Sequence, residues 1–212
     1  MPCSNRMRGA GTALLLALTL SACGTVGGGT RYRPVADTPV RVGKPYTIKG
    51  ITYAPADTAD YDALGYASWY GSESGNMTAN GERFEPGGVT AAHKTLPLPC
   101  YVEVTALDTG RTILVRINDR GPFARGRVID LSRGAAEQLG IRQSGVAAVR
   151  VRRVNPPEAD RAKLRKGKRA PERAQASATL LEALRGQLAG GPVNAVASDA
   201  MIPGGGGRGG QP

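Results

Sequence analysis

Three carboxylates and the single histidine of the chain have the side-chain types that acid–base chemistry requires. Glu82, Asp119 and Asp130 lie in or beside glycine-containing segments, and His93 lies among them in the sequence. Functional side chains are often presented by loops of this kind. Cleavage of a glycosidic bond needs a carboxylic acid that protonates the leaving oxygen, and a hydrolase adds a second carboxylate. The residue types therefore indicate carbohydrate chemistry.

The elements that must position these side chains are short strands. Residues 66–70 form an aromatic segment, and residues 101–107 alternate as a half-buried strand does. Asp108 to Gly110 can turn the chain, and residues 112–117 return as a β-branched partner. We therefore expect an antiparallel hairpin over residues 101–117.

One more strand, a helix and a closing strand follow. Residues 127–131 predict a strand, Ser132 predicts the N-cap of a helix, and Gly140 predicts its end. Residues 146–154 predict the last strand. Several short strands with one small helix within about 90 residues indicate an all-β closed barrel, because closure leaves no exposed strand edge.

The first 23 residues have the pattern of a bacterial lipoprotein leader. Arg6 and Arg8 precede an apolar stretch at residues 10–20, and Ser21 and Ala22 lead to Cys23. This arrangement predicts a signal peptide over residues 1–22 and acylation of Cys23 after cleavage. The apolar stretch is far shorter than the roughly 20 residues of a spanning helix, which excludes a polytopic membrane protein.

The leader also predicts the compartment and limits the partners. Gly24 follows the cysteine where lipoproteins kept in the inner membrane often carry Asp, so we expect the periplasmic face of the outer membrane. The net charge of +11 would by itself suggest nucleic acid as a partner, but export from the cytoplasm makes nucleic acid an unsuitable partner. Cys100 is then alone and is expected to be packed, and a single histidine predicts no metal site and no cofactor.

The segments that flank the barrel differ from it in composition. Residues 23–64 show no sustained period and are predicted to be a disordered, flexible tether. Residues 156–212 predict a low-complexity basic tail in which residues 174–188 form one weak docking helix. The barrel domain is expected over residues 65–155.

Five sequence blocks resemble the rare lipoprotein A (RlpA) family in order and spacing. They are Ala-Ser-Trp-Tyr-Gly at 67–71, Thr-Ala-Asn-Gly-Glu-Arg-Phe at 78–84, Thr-Ala-Ala-His at 90–93, Val-Arg-Ile-Asn-Asp-Arg-Gly-Pro-Phe at 115–123 and Gly-Arg-Val-Ile-Asp-Leu-Ser at 126–132. The resemblance implies a six-stranded double-psi β-barrel with a short helix, a fold also found in expansins and in lytic transglycosylases of the MltA type.

The resemblance also implies an activity and its residues. A lytic transglycosylase cleaves the MurNAc–GlcNAc β-1,4 bond of peptidoglycan and uses the C6 hydroxyl of MurNAc as nucleophile, which leaves a 1,6-anhydro end. The matched positions imply Asp119 as general acid and base, with Glu82 and His93 as its companions in catalysis. Asp119 would need a pKa raised by burial, and His93 is expected to hydrogen-bond one carboxylate.

The implied substrate-binding residues each have a structural alternative. Tyr70 can stack on a sugar or pack in the core, Arg120 can pair with Asp119 or with a glycan carboxylate, and Asp130 can serve as a loop-fixing acceptor. Asn80 belongs to the same blocks. These four residues, Tyr70, Asn80, Arg120 and Asp130, are expected to contact the glycan strand.

Two departures from the family bear on sugar specificity and on septal targeting, and a second function stays open. Residues 72–77 replace a Phe-His-Gly stretch that many members carry, and residues 156–212 are too short to supply a SPOR domain. Because a fold does not decide function, a non-catalytic, expansin-like peptidoglycan-binding module remains the alternative. Both readings expect peptidoglycan as partner and a membrane anchor through Cys23.

Overall fold

The computed structural model describes residues 32–190 and 202–203, so the predicted signal peptide, Cys23 and the start of the predicted tether lie outside the described residues. The elements run in the order β1 Tyr46–Ile48, β2 Ile51–Tyr53, β3 Asp62–Tyr70, a 3₁₀ turn Ser72–Ser74, β4 Thr90–Ala92, β5 Cys100–Ala106, β6 Thr112–Asp119, β7 Arg127–Ser132, α1 Arg133–Leu139, β8 Ala147–Val154, α2 Glu158–Arg165, α3 Ala178–Ala189 and β9 Ile202–Pro203.

Six of these strands form a closed barrel in the order β3-β7-β4-β6-β5-β8. The pairs β3–β7 and β4–β6 are parallel, and the other four pairs are antiparallel. The all-β, six-stranded barrel with a short helix is therefore confirmed. The strand β4 escaped the sequence prediction because three residues are too few to show a period.

The predicted hairpin is strands β5 and β6, which pair antiparallel with Val102 opposite Val115. Both of these side chains are fully buried, as are Ile117, Ile129 and Leu131, so the β-branched and leucine side chains of several strands fill one core. The barrel wall admits no side chain at Gly65, because a Cβ there would lie 2.4 Å from Val128 Cγ1.

The helix α1 has the ends that the sequence predicts. The Ser132 hydroxyl accepts a hydrogen bond from the backbone N–H of Ala135, and Gly140 ends the helix in the left-handed conformation with φ 90°. Ala136 and Leu139 are buried on its inner face. Capping satisfies backbone groups that the first and last turns leave open, which explains why these boundaries were readable locally.

The segment before the barrel is more ordered than the predicted tether over its described residues. Strands β1 and β2 form a hairpin, and Tyr46 and Tyr53 pack against Phe123 with ring centroids 6.1 and 5.5 Å away. Asp37 accepts a hydrogen bond from the hydroxyl of Tyr101 at 2.8 Å. Such a segment has no periodicity because long-range contacts, rather than a repeating face, hold it in place.

The segment after the barrel also packs on it. The helix α3 begins at Ala178, four residues later than predicted, and Ser177 caps it. It buries Leu181 and Leu184 against Leu64 and Leu107. The basic run contributes to α2, whose Arg165 pairs with Asp37. Among the described helices, none is both long and apolar enough to cross a membrane.

Candidate active site

Strand pairing brings two of the predicted carboxylates to one edge of the barrel. Strand β4 lies between β6 and β7, and its Ala92 pairs with Asp119 on one side and with Asp130 on the other. Since neighbouring strands lie about 4.8 Å apart, the two aspartates start about 10 Å apart at the backbone. A cavity of about 520 Å³ opens between them and is also lined by Tyr70 and Arg120.

Asp119 lines this cavity, and its two carboxylate oxygens differ in their hydrogen-bond partners. Its Oδ1 accepts hydrogen bonds from the backbone N–H groups of Ala79 at 2.7 Å and Arg120 at 2.8 Å. No donor among residues 32–190 and 202–203 reaches Oδ2. Burial raises the pKa of Asp119, although both backbone hydrogen bonds and the Arg120 charge oppose the shift. The two backbone hydrogen bonds to Oδ1 thus orient the carboxyl group, and Oδ2 is left without a donor from these residues.

Tyr70 supplies a neutral hydroxyl to the same cavity. Its ring stacks on Phe84 at a centroid distance of 4.8 Å, so one face is covered by protein. Its hydroxyl is buried and has no hydrogen-bond partner among the described residues. Burial and the charges of Asp119 and Asp130 raise the pKa of Tyr70 above its ordinary value. A protonated phenol with an open hydrogen bond can donate to a ligand.

Asp130 fixes the local structure and also borders the cavity, so its expected contact with the glycan stays a prediction. Its Oδ1 accepts a hydrogen bond from the hydroxyl of Ser68 at 2.7 Å and lies 3.5 Å from Nη1 of Arg127. Asp130 nevertheless lines the cavity beside Asp119. Arg127 also lines it, and its Nε is buried without a hydrogen-bond partner in the part of the chain that the structure describes.

Arg120 holds neighbouring backbone rather than a carboxylate. Its guanidinium donates to the carbonyl oxygens of Leu96 at 2.6 Å, His93 at 3.3 Å and Val42 at 2.9 Å. Only its backbone N–H contacts the Asp119 carboxylate. Of the two alternatives for Arg120, the side-chain pairing with Asp119 is not formed within the described residues, because three carbonyl oxygens engage the guanidinium. Its contact with a glycan stays a prediction.

Glu82 is buried behind the cavity and is 1% exposed. Arg116 donates to its Oε2 and Oε1 at 2.7 and 2.8 Å, and the side-chain amides of Asn80 and Asn118 add bonds of 2.8 and 3.0 Å. Burial opposes ionisation, but the hydrogen bonds from Arg116 and Asn118 prevail and lower the pKa of Glu82. Glu82 and Asn80 therefore do not join Asp119 at the cavity surface.

His93 is also buried, with 1% of its surface exposed. Its Nδ1 accepts the backbone N–H groups of Thr95 and Leu96 at 3.2 and 3.0 Å, so the proton of the neutral ring is on Nε2, 2.9 Å from the hydroxyl of Tyr61. Burial, with the charges of Lys94 and Arg120, lowers the pKa of His93 to about 3.

The ring of His93 therefore contacts no carboxylate, unlike the sequence expectation. The residue acts on the site through its main chain instead, because the backbone N–H of His93 donates to the carbonyl oxygen of Asp119 at 3.0 Å. That bond ties strand β4 to β6 at the point where Asp119 leaves the barrel.

Sequence reasoning missed the residues that hold Glu82 in place and one that borders the cavity. Arg116 and Asn118 stand within a matched block, directly before Asp119, and a buried polar pair in an otherwise apolar strand was the available signal. Lys49 lies on the β1–β2 hairpin and lines the cavity, but no local pattern indicated it. Cys100 is packed as expected.

No metal centre is formed by the described ranges, where no three His, Cys, Asp or Glu side chains come together. Burial raises the pKa of the Cys100 thiol to about 12. The titratable and charged side chains that line the cavity are Asp119, Asp130, Tyr70, Arg120, Arg127 and Lys49.

Comparison with known proteins places this geometry in a family. Residues 62–151 match the model of the domain family described as lytic transglycolase. The endolytic peptidoglycan transglycosylase RlpA of Pseudomonas aeruginosa is 54% identical over 114 residues, which cover 53% of this chain and 33% of that protein. The protein of the same name from Vibrio cholerae is 40% identical over 161 residues, which cover 65% of this chain and 60% of that protein.

A solved structure, the Streptomyces papain inhibitor, is similar with a TM-score of 0.37 and 24% identity, over 44% of this chain and 94% of that one. The curated relatives are longer than the region they share with this chain, which spans from 33% to 60% of their lengths. The matched family domain coincides with the barrel strands β3 to β8 that carry Tyr70, Asp119 and Asp130. Residues 62–151 therefore form a double-psi barrel domain of the lytic transglycolase family, and over this domain the chain is similar to the RlpA proteins.

Proposed function

We propose that the protein is a peptidoglycan lytic transglycosylase in which Asp119 is the general acid and base. The observation that carries this proposal is the asymmetric environment of its carboxyl group. Oδ1 accepts hydrogen bonds from two backbone N–H groups, Oδ2 accepts none from the described residues, the side chain lines the cavity, and burial raises the pKa of Asp119. A general acid must hold a proton near neutral pH and present it on an accessible oxygen.

The proposed reaction is balanced without water. Protonated Asp119 donates its proton to the glycosidic oxygen, and the bond from that oxygen to C1 of MurNAc breaks as positive charge develops on the sugar. The C6 hydroxyl of the same sugar then attacks C1 and gives its proton to the Asp119 carboxylate. A 1,6-anhydro ring forms, and Asp119 is again protonated.

The other cavity residues support this reaction in ways that their contacts allow. Asp130 can stabilise the developing positive charge, and the phenol of Tyr70 can donate to a sugar oxygen. Glu82 and His93 are positioning residues in this proposal. Glu82 is held next to strand β6 through Asn118, and the His93 main chain holds the Asp119 carbonyl.

Product analysis tests the proposal directly. The purified protein is incubated with intact and with amidase-treated peptidoglycan, and soluble products are identified by mass spectrometry. We expect anhydro-muropeptides with the wild type and with Asp108→Asn, a variant of an exposed turn aspartate. Asp119→Asn should lose about 10²- to 10⁴-fold in rate, the range of general acid–base catalysis. Equal product from Asp119→Asn would contradict the proposal.

A binding function is the second candidate. It is favoured by the fact that, of the three predicted catalytic side chains, only Asp119 reaches the cavity, while Phe123 and Met77 expose apolar surface there. If no products appear and the protein still sediments with the cell wall, the non-catalytic, expansin-like module is the better account.

We also propose that the chain is a lipoprotein anchored through Cys23 at the periplasmic face of the outer membrane. The leader pattern supports this proposal, since acyl chains contribute about 0.8 kcal/mol for each buried CH₂. Labelled palmitate should enter the wild type and not Cys23→Ser. Fractionation should place the wild type in the outer membrane, and label in Cys23→Ser would contradict the anchor.

A further inference from the structure

The turn of the β1–β2 hairpin borders the cavity through Lys49, although the hairpin precedes the matched family domain. Ile48 pairs with Ile51, so Lys49 and Gly50 make a two-residue turn at its tip. Tyr46 and Tyr53 stack at 5.5 Å and both pack on Phe123, and the hydroxyl of Tyr46 donates to the carbonyl oxygen of Lys94 at 2.7 Å. These contacts hold the turn beside the loop that follows Asp119.

Lys49 occupies this turn at a conformational cost. Its φ is 51° and that of Gly50 is 78°, as in a type I′ turn, where Asn and Gly are the favoured residues. The left-handed backbone conformation is unfavourable for lysine, so the geometry of the turn does not explain why a lysine stands at this position. Unfavourable conformations of this kind concentrate at binding sites.

The position of Lys49 puts an available cation on the cavity wall. It lines the same cavity as Asp119 and Asp130, and its side chain is exposed. Over residues 32–190 and 202–203 no ion pair or hydrogen bond engages its ammonium group. The other cations at the cavity are engaged, since Arg120 bonds three carbonyls and Arg127 contacts Ser68 and Asp130.

We infer that Lys49 binds a carboxylate of the glycan substrate and thereby selects charged over uncharged strands. The inference rests on the proposed peptidoglycan substrate and adds a specificity-determining residue to it. A glycan carboxylate has two sources, the lactyl group of MurNAc once peptides are removed and the carboxyl groups of the peptide stems. Both present the same anion to an ammonium group.

The test is a binding measurement in which turnover is blocked by Asp119→Asn. Dissociation constants are determined by fluorescence anisotropy for three labelled probes: amidase-treated glycan fragments, stem-bearing fragments and an uncharged chitooligosaccharide. Lys49→Asn removes the charge and suits the left-handed backbone, so it should fold as well as its parent. Lys49→Arg restores a cation, and Lys44→Asn removes an exposed lysine that does not line the cavity.

We expect Lys49→Asn to weaken binding of a carboxylate-bearing probe about fivefold and to leave the chitooligosaccharide unchanged. Lys49→Arg should recover binding, and Lys44→Asn should match the parent. A larger loss with stripped fragments identifies the lactyl carboxylate, and a larger loss with stem-bearing fragments identifies the stems. Unchanged affinity for both charged probes, or an equal loss with the uncharged probe, would overturn the inference.

These outcomes separate this inference from the proposed function. If the wild type releases no anhydro-muropeptides but Lys49→Asn still weakens binding of charged glycan, the enzymatic proposal fails and the role of Lys49 stands. If products form and binding does not depend on Lys49, the enzyme stands and the role of Lys49 fails.

Discussion

Replacement of Glu82 by Gln tests whether this carboxylate acts on the substrate or holds the barrel edge. The Glu82 and Arg116 side chains are each 1% exposed, and each Glu82 oxygen accepts two hydrogen bonds. A glutamine has one acceptor oxygen, so its NH₂ group must face two donors in either orientation. Arg116 also loses its main counter-charge and keeps only Asp37 at 3.3 Å.

The magnitude follows from the burial of the pair. Removing one partner of a buried ion pair costs about 3–5 kcal/mol, and we expect about 3 kcal/mol here because Asp37 remains. For a domain of this size, that loss lowers the melting temperature by about 6–12 °C. The pKa of Glu82 is lowered, so its stabilisation is present above the unfolded pKa and disappears as pH falls through the folded one.

Thermal and urea unfolding of Glu82→Gln against the wild type measure this effect, with Glu85→Gln as control. Glu85 is 69% exposed in its pair with Arg83, and its replacement should change stability by less than about 0.5 kcal/mol. The difference between Glu82→Gln and the wild type should shrink below about pH 4. A Glu82→Gln protein as stable as the wild type at pH 7, but without product formation, would refute the positioning role and support direct catalysis.

Four further predictions concern the pKa shifts of Asp119 and His93 and the close packing at Gly134. Asp119→Asn should be at least as stable as the wild type at pH 7, because a raised pKa means that the folded state disfavours the carboxylate; a lower urea midpoint would contradict this. The kcat/KM of the wild type should fall as pH rises through the raised pKa of Asp119, and steady-state rates across pH should show that limb. The pKa of His93 is about 3 in the folded state, so between about pH 6 and pH 4 only the unfolded state binds a proton at this residue. The free energy of unfolding should therefore decrease by up to about 1.4 kcal/mol for each unit by which the pH is lowered. The urea midpoint of His93→Gln should depend less on pH over this range. Gly134→Ala should lower the melting temperature strongly, because its Cβ would lie 2.2 Å from the backbone oxygen of Gly87, whereas Gly186→Ala, with open space around the site, should not.

Much of the barrel was readable because its signals are local. The hairpin of β5 and β6 shows alternating β-branched residues around a turn, and α1 shows a serine cap and a glycine end. The short strand β4 and the hairpin of β1 and β2 were missed, because three-residue strands carry too little pattern and are held by neighbours distant in sequence.

The residues of the candidate site likewise fall into those that the sequence indicates and those that only the structure reveals. Asp119 was identifiable from the block around it, and its neighbour in space, Asp130, was identifiable from another block. The hydrogen-bond partners that bury Glu82 and His93 could not be identified from the sequence. Arg116 lies 34 residues from Glu82 and Tyr61 lies 32 residues from His93, so each pair meets only in the folded barrel. The backbone carbonyls that engage Arg120 were equally invisible, since a sequence does not show where main-chain oxygens point.

The sequence by itself determined most strands of the barrel and the family of the domain at residues 62–151, and it supplied Asp119 as the candidate acid, since residue type and local spacing carry this information. The tertiary structure decided which groups are available to a ligand. Availability depends on burial and on filled hydrogen bonds, which arise where strands β3, β4, β6 and β7 meet. The meeting of these strands buries Glu82 and His93 and leaves Oδ2 of Asp119 without a hydrogen bond from the described residues. Lys49 reaches the cavity from outside the family domain because the β1–β2 hairpin packs on Phe123.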